Sequence, residues 1–167
     1  MKISVFIINV HIAFLLISCQ SKNVVSFNNV SYPILDSLDY VAFPDNNYMT
    51  DGNYYFNKII SLGDNIIPHL IEKISDTTTT KYKYADFYNL THGDIAIELL
   101  QYLYKQQIPL RNILFEEFHK ELKNKNMEVD FYDSVYYYIL FSNSPKKNHE
   151  NRVRFYKRIK KWHDKNK

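Results

Sequence analysis

The chain has 167 residues, enough for one domain, and its 46% hydrophobic and 16% aromatic content favours a packed core over disorder. With 3 glycines and 5 prolines, the composition argues against a turn-rich all-β fold. The formal net charge is +3, and the single cysteine excludes both an intramolecular disulfide and a cysteine-based zinc site.

The N-terminal segment has the features of an export signal. Lys2 precedes a mostly apolar run, residues 3–16, which is too short for a transmembrane helix of about 20 residues. Residues 16–19 then resemble a bacterial lipobox, because an apolar residue stands three positions before Cys19 and a small one directly before it. The resemblance implies a signal peptide over 1–18 and a lipid, such as palmitate, on Cys19. An ordinary signal peptide with an incidental cysteine is the alternative.

The residues after the cysteine bear on where the protein is anchored. Gln20 is not an aspartate, and by resemblance to sorted lipoproteins this favours the outer membrane over the inner membrane. We expect the periplasmic face of the envelope rather than the cell surface. Residues 19–31 are polar and rich in asparagine, and we interpret them as a lipid-anchored tether. The single helical domain is then predicted to span 32–167.

Helical periodicity predicts an all-α or mostly α, compact multi-helix domain. A short helix should begin at Pro33 and end near Ala42. Longer helices are predicted at about 53–62, 65–74, 93–106, 110–123, 130–141 and 149–164. Helix 93–106 is apolar on two sides and should be the central buried helix. Thr91 and Asp94 have capping-box spacing at its start, although aspartate replaces the usual Glu or Gln.

A tight corner joins the helices predicted at 53–62 and 65–74. Gly63 stands where a helix end favours the left-handed conformation, Asp64 is a natural N-cap, and Pro68 fits the first turn of the next helix. Residues 53–76 thereby resemble a HEAT-like helical-repeat hairpin. A second corner at 93–94 echoes the first without the proline, and two units are too few for a solenoid.

A threonine-rich and aromatic connection is predicted from about residue 77 to residue 91. It contains Tyr82, Tyr84 and Tyr88, and a loop of roughly 15 residues in a small domain is often functional or mobile. Two interpretations stay open at this stage. The rings either fold back over the helical hairpin or form a binding loop.

The charges are unevenly distributed along the chain. Residues 20–145 hold 10 Lys and Arg against 16 Asp and Glu, whereas residues 146–167 hold 10 against 2. The basic C-terminal helix could face its own acidic domain, an acidic protein or cell-wall polymer, or anionic lipid headgroups. Nucleic acid is the usual partner of such a patch, but the predicted export signal argues against it. The candidate cationic residues are Arg154, Lys157, Arg158 and Lys161.

Familiar catalytic motifs do not occur in the sequence. It has no Gly-rich phosphate loop, no Gly-x-Ser-x-Gly elbow and no His-Glu-x-x-His run. Residues 116–119 contain one Glu-x-x-His pair, where a di-metal bundle needs two. We therefore expect neither a metal nor a cofactor.

These observations favour a non-enzymatic, lipid-anchored module that binds an unidentified envelope protein. It could be an accessory subunit of an envelope complex or an immunity or inhibitor protein. The candidate surface combines the tyrosines of residues 77–91 with the cations of the C-terminal helix. The alternative is an envelope hydrolase acting on cell-wall or glycan material, with His92, Asp94 and Glu98 as the candidate site. A purely structural tether is a third possibility.

Overall fold

A computed structural model of the chain describes residues 31–44, 51–84, 88–105, 107–123, 132–141 and 144–167. The predicted signal peptide, Cys19 and all but the last residue of the predicted tether lie outside these ranges. Of Tyr84 and Tyr88, the structure describes the backbone alone.

The described part of Tyr32–Lys167 is mostly α, as the sequence predicts. It contains seven α-helices, two 3₁₀ helices and one two-stranded sheet. In chain order these are a 3₁₀ helix Pro33–Tyr40, α1 Tyr54–Ile60, a 3₁₀ helix Gly63–Ile66, α2 Ile67–Lys73, β1 Thr79–Tyr84, β2 Tyr88–Thr91, α3 His92–Leu103, α4 Leu110–Glu117, α5 His119–Lys123, α6 Tyr132–Leu140 and α7 Pro145–Asn166.

Helix α3 lies at the centre of the core, which confirms the prediction for 93–106. It is buried without a break from His92 to Ile97, and it packs against α1, α2, β2 and the 3₁₀ helix Pro33–Tyr40. Gly93 allows this close packing, because a Cβ atom there would lie 2.4 Å from the carbonyl oxygen of Ile74. The end of α2 and the start of α3 therefore touch through their backbones.

The corner between α1 and α2 differs in detail from the prediction. Gly63 has a φ of +56°, the left-handed conformation expected of it. Asp64 does not cap α2, however, because the 3₁₀ turn Gly63–Ile66 comes first. Ile66 is the residue before α2 and provides no side-chain cap. The extra turn carries Ile66 into the core, where its side chain is fully buried.

The predicted loop at 77–91 is wrong, because most of it forms an antiparallel β-hairpin. Strands β1 and β2 pair Thr79 with Thr91 and Lys83 with Asn89, with an irregularity between these positions. Tyr82 is half-buried and packs against the core. The backbone hydrogen bonds that a free loop would leave to water are made across the hairpin.

The helices predicted at 110–123 and 149–164 also differ from the structure at their boundaries. Phe118 interrupts the helix predicted at 110–123, with a φ of −109° and a ψ of 21°, and divides it into α4 and α5. Helix α7 begins at Pro145, four residues before the helix predicted at 149–164. Ser144 caps it by accepting a hydrogen bond from the Lys147 N–H at 3.3 Å, and proline suits the first helical position.

Helix α7 packs against α4, α6 and α2. Its buried stripe repeats every four residues through Asn151, Phe155, Ile159 and His163. Within the ranges that the structure describes, no helix has both the length and the apolar content needed to cross a membrane.

Candidate interaction surface on the C-terminal helix

A buried ion pair fixes α7 to the centre of the domain. The Nη2 atom of Arg152 on α7 lies 3.1 Å from both carboxylate oxygens of Asp94 on α3. The side chain of Arg152 is 0% exposed and that of Asp94 is 3% exposed. A buried charge must be paired and hydrogen-bonded to be tolerated, so the two residues depend on each other.

Asp94 accepts three further hydrogen bonds. The Thr91 N–H and the Thr91 hydroxyl donate to Oδ2 at 2.7 Å each, and the Tyr136 hydroxyl donates to Oδ1 at 2.6 Å. The predicted capping box at the start of α3 is therefore present, and the same carboxylate serves as cap and as counter-ion. Both oxygens of Asp94 are hydrogen-bonded and its side chain is almost completely buried, which indicates a structural role.

His92 lies between two carboxylates. Its Nε2 atom is 3.3 Å from Asp39 and its Nδ1 atom is 3.5 Å from Asp76, and its side chain is 11% exposed. Burial raises the pKa of Asp76, but hydrogen bonds from Thr78 and the charges of His92 and Lys73 outweigh burial, so that this pKa lies below its ordinary value.

The three residues considered for a hydrolase therefore have different surroundings. Asp94 forms an ion pair with Arg152. His92 lies beside Asp39 and Asp76, and Glu98 is exposed on α3. In the part of the chain that the structure describes, no group of three or more metal-ligating side chains could hold a metal ion.

The arginines of α7 are used to bind the helix to its own domain. Arg154 donates to Glu117 Oε1 at 3.0 Å, to Glu121 Oε1 at 2.7 Å and to the Glu117 carbonyl oxygen at 2.9 Å. Its guanidinium carbon also lies 4.4 Å from the centre of the Phe118 ring. The hydrogen bond from Arg154 lowers the pKa of Glu121 below its ordinary value. Arg158 continues the pattern, with Nη2 at 2.6 Å from Glu116 Oε2.

The lysines of the same helix have a different environment. In the C-terminal half of α7, four lysines are exposed and form no ion pair within the described ranges: Lys157, Lys160, Lys161 and Lys165. Lysine suits such positions, because its ammonium is strongly hydrated on a flexible stem, whereas the guanidinium fork matches a carboxylate. The acidic domain therefore neutralises the arginines of α7 and leaves a row of positive charge facing solvent.

A cleft opens beside this row, between α4 and α7. Its cavity volume is about 390 Å³. The lining residues are Pro109, Asn112, Ile113, Glu116, Arg158, Lys161, Trp162 and Lys165. Trp162 is held in place by Tyr104, whose ring centre lies 5.4 Å away at an interplanar angle of 74°.

Tyr104 also bonds the residue after the tryptophan. Its hydroxyl forms a hydrogen bond with Nδ1 of His163, which is itself buried. Burial raises the pKa of Tyr104 and lowers the pKa of His163. Both shifts favour the neutral form of the side chain, and the hydrogen bond between the two residues secures the end of α7 beside the cleft.

The predicted surface residues fall into two groups. Tyr82 lies on the hairpin under Lys81, whose Nζ atom is 5.4 Å from the centre of the ring. The four predicted cations lie on α7, and two of them, Arg158 and Lys161, line the cleft. Arg154 is engaged with α4 and α5, and Lys157 is exposed outside the lining of the cleft.

Sequence reasoning missed Trp162, Lys165 and Arg152 as members of these sites. The spacing of Lys161 and Lys165 around Trp162 on one helix could have indicated the cleft. Arg152 stands three residues before Phe155 on the apolar stripe, and a charge at such a position indicates a buried partner.

No known family matches the chain, and the searches of curated proteins and of solved structures found no match either. The resemblances to bacterial lipoproteins and to HEAT-like units therefore stay predictions.

Proposed function

We propose that this chain is a lipid-anchored bacterial envelope protein that binds another envelope protein and has no catalytic activity of its own. The observation that carries the proposal is the row of exposed lysines on α7, which no acidic side chain of the described residues neutralises. Positive side chains beside a cleft favour encounter with an acidic partner and fix its orientation. The partner could be an exported toxin or the remainder of an envelope complex.

The division between arginines and lysines supports a binding role for the lysines. Exposed ion pairs contribute little to stability, so leaving four lysines unpaired costs the fold little. Each of these charges is then available to a partner. If the row served stability alone, we would expect its members to face the acidic residues that Arg154 and Arg158 use.

The anchor rests on the sequence. Residues 16–19 resemble a lipobox, and three acyl chains at Cys19 would hold the protein firmly, since one chain alone gives only marginal membrane binding. We place the protein at the outer membrane, on its periplasmic face. Incorporation of an alkyne-labelled palmitate into the wild type and its loss in Cys19→Ala would support the anchor. Equal labelling of both proteins would refute it.

Crosslinking in intact cells followed by affinity capture tests the binding role. The wild type is compared with a variant in which the four lysines of the row are changed to glutamate. A matched control carries the same charge change at four exposed lysines elsewhere: Lys58, Lys105, Lys120 and Lys123. Thermal unfolding of all three proteins establishes that they are folded.

We expect one envelope protein to be enriched with the wild type and with the control, and to be lost with the row variant. Equal loss in both variants would show that net charge alone attracts the captured protein. Retention in the row variant would contradict a role for α7 in binding. Arg154 and Arg158 stay unchanged, because reversing them would place like charges beside Glu116, Glu117 and Glu121.

A hydrolase acting on cell-wall or glycan material is the second candidate. The observation that favours it is the His92 imidazole between Asp39 and Asp76, since a carboxylate can orient a histidine for proton transfer. Release of soluble fragments from purified cell wall would support it if His92→Gln abolished the release and the variant stayed folded. Absence of turnover at high protein concentration would rule out this candidate on that substrate.

A further inference from the structure

The α4–α7 cleft combines an apolar floor with a positive rim. Pro109, Ile113 and Trp162 provide the floor, and Lys161 and Lys165 stand at the rim. A volume of about 390 Å³ lies within the range of small-ligand pockets, roughly 300–1,000 Å³, and is large enough for one or two side chains of a partner.

The charge of the lining favours an anion. Three cations and one carboxylate line the cleft, and the carboxylate, Glu116, already accepts a hydrogen bond from Arg158. Lys161 and Lys165 remain without an ion-pair partner in the described ranges. Being four residues apart on a helix, they stand about 6 Å from each other along one face.

The apolar floor distinguishes between kinds of anion. A bare phosphate has nothing to bury against an indole ring, and a flat membrane surface would meet the exposed row of lysines rather than the concave floor. An acidic protein segment can do both, placing one apolar side chain in the cleft and carboxylates on the rim. Tryptophan is also a common anchor at the centre of protein interfaces.

We infer that the cleft binds an acidic peptide segment of the partner, with an apolar side chain against Trp162 and carboxylates on Lys161 and Lys165. The inference rests on the proposed binding function and names its site and the chemistry of its partner. Arg158 positions the rim through its ion pairs with α4, and the amide of Asn112 is available to a backbone group of the peptide.

The chain itself carries the reporter for a test, because Trp162 is its only tryptophan. The full chain in a neutral detergent is titrated with acetyl-Glu-Glu-Leu-Glu-Glu-amide while its tryptophan emission is followed. Parallel titrations use the same peptide with glutamine for glutamate, the same peptide with glycine for leucine, inorganic phosphate, and vesicles of phosphatidylglycerol.

Two double variants with the same change in net charge test whether the emission change arises from peptide binding in the cleft. Lys161→Glu with Lys165→Glu reverses the rim, and Lys157→Glu with Lys160→Glu reverses neighbouring charges on the same helix outside the lining. We expect a saturable change in emission with the acidic peptide, weakened at least about tenfold by the first pair and at most about threefold by the second. The glutamine and glycine peptides should each bind more weakly than the parent peptide.

Three results would overturn the inference. They are an unchanged emission with the acidic peptide, equal weakening by both pairs of reversals, and a stronger response to phosphate or to vesicles. Any of these would leave the proposed function intact if capture in cells still depended on the lysine row. If the wild type captured no envelope protein in cells but still bound the peptide, that result would instead count against the proposed function.

Discussion

Asp94 on α3 and Arg152 on α7 form an ion pair inside the core, 58 residues apart in the chain. The pair is not symmetric in its surroundings. Asp94 has three other hydrogen bonds, from Thr91 and Tyr136, whereas the Nε and Nη1 atoms of Arg152 are buried without a hydrogen-bond partner. Arg152 therefore depends on Asp94 more than Asp94 depends on Arg152.

This asymmetry predicts unequal costs of removing the two partners. Asp94→Ala leaves a buried guanidinium with no acceptor and should lower the free energy of unfolding by about 3–5 kcal/mol. Arg152→Met keeps much of the volume and leaves the carboxylate with its three other donors, so its cost should be smaller. Urea unfolding followed by Trp162 emission measures both.

The double variant completes the comparison. Asp94→Ala with Arg152→Met should be less destabilised than the sum of the single variants, because neither charge is then left alone. Additive costs would mean that the ion pair contributes nothing beyond its two separate side chains.

Gly93 provides a second test, of backbone contact. Gly93→Ala would place a Cβ atom 2.4 Å from the Ile74 carbonyl oxygen and 3.0 Å from that of Asp76, and neither backbone atom can rotate away. We expect a loss of several kcal/mol or failure to fold, at the upper end of single-residue effects of about 4–5 kcal/mol. Gly63→Ala is the control, because the space around it is open and only its φ of +56° opposes alanine. Gly63→Ala should lower the free energy of unfolding by about 1–2 kcal/mol. Thermal unfolding measures both variants, and equal stability of the two would contradict the importance of backbone contact at Gly93.

The sequence indicated these features to different degrees. The capping box at Thr91 and the buried character of α3 are local, since they depend on residues within one helix and could be predicted. The hairpin also has a local signal in the sequence, because Thr80 and Tyr82 alternate with exposed Lys81 and Lys83 in the two-residue period of a strand.

Other features depend on contacts that one sequence does not display. The sequence around Asp94 does not indicate that Arg152 is its partner, because the pairing follows from how α7 packs against the core. The same holds for the cleft, whose wall on α4 is brought to Trp162 by the tertiary fold. Gly93 could be recognised as the residue of a corner, but not as a point of contact with Ile74.

His163 predicts how stability depends on pH. Burial lowers its pKa in the folded state below the ordinary value of about 6.5 that it regains on unfolding. Its contribution is therefore complete above about pH 6.5–7 and is lost as pH falls through the folded pKa, because the unfolded chain takes up the proton first. His163→Gln should flatten the dependence of unfolding free energy on pH below about pH 6.5.

The exposed His119 is the control for that experiment. His119→Gln should leave the slope of unfolding free energy against pH as it is in the wild type. If both variants have the wild-type slope, burial does not lower the pKa of His163 in the folded protein.

Arg154 and Lys157 predict a contrast within α7. Arg154→Ala removes bonds to Glu117 and Glu121 and should cost roughly 1–2 kcal/mol, allowing for partial solvent exposure of the pairs. Lys157→Ala should stay within about 0.5 kcal/mol of the wild type. Nuclear magnetic resonance adds a local measurement, because the pKa of Glu121 should rise in Arg154→Ala and not in Lys157→Ala. A pKa of Glu121 that is the same in both variants would show that the bond is not formed in solution.

The separate roles of arginine and lysine on α7 have a consequence for how the sequence can diverge. Arg154 and Arg158 form ion pairs with acidic residues of α4 and α5. A substitution of either arginine therefore favours a compensating substitution among these acidic residues, and we expect the positions to covary. The lysines of the row form no ion pair within the described residues, so their substitution requires no such compensation. Substitutions in the lysine row can therefore accumulate as the partner changes, without a change in how α7 packs against the domain.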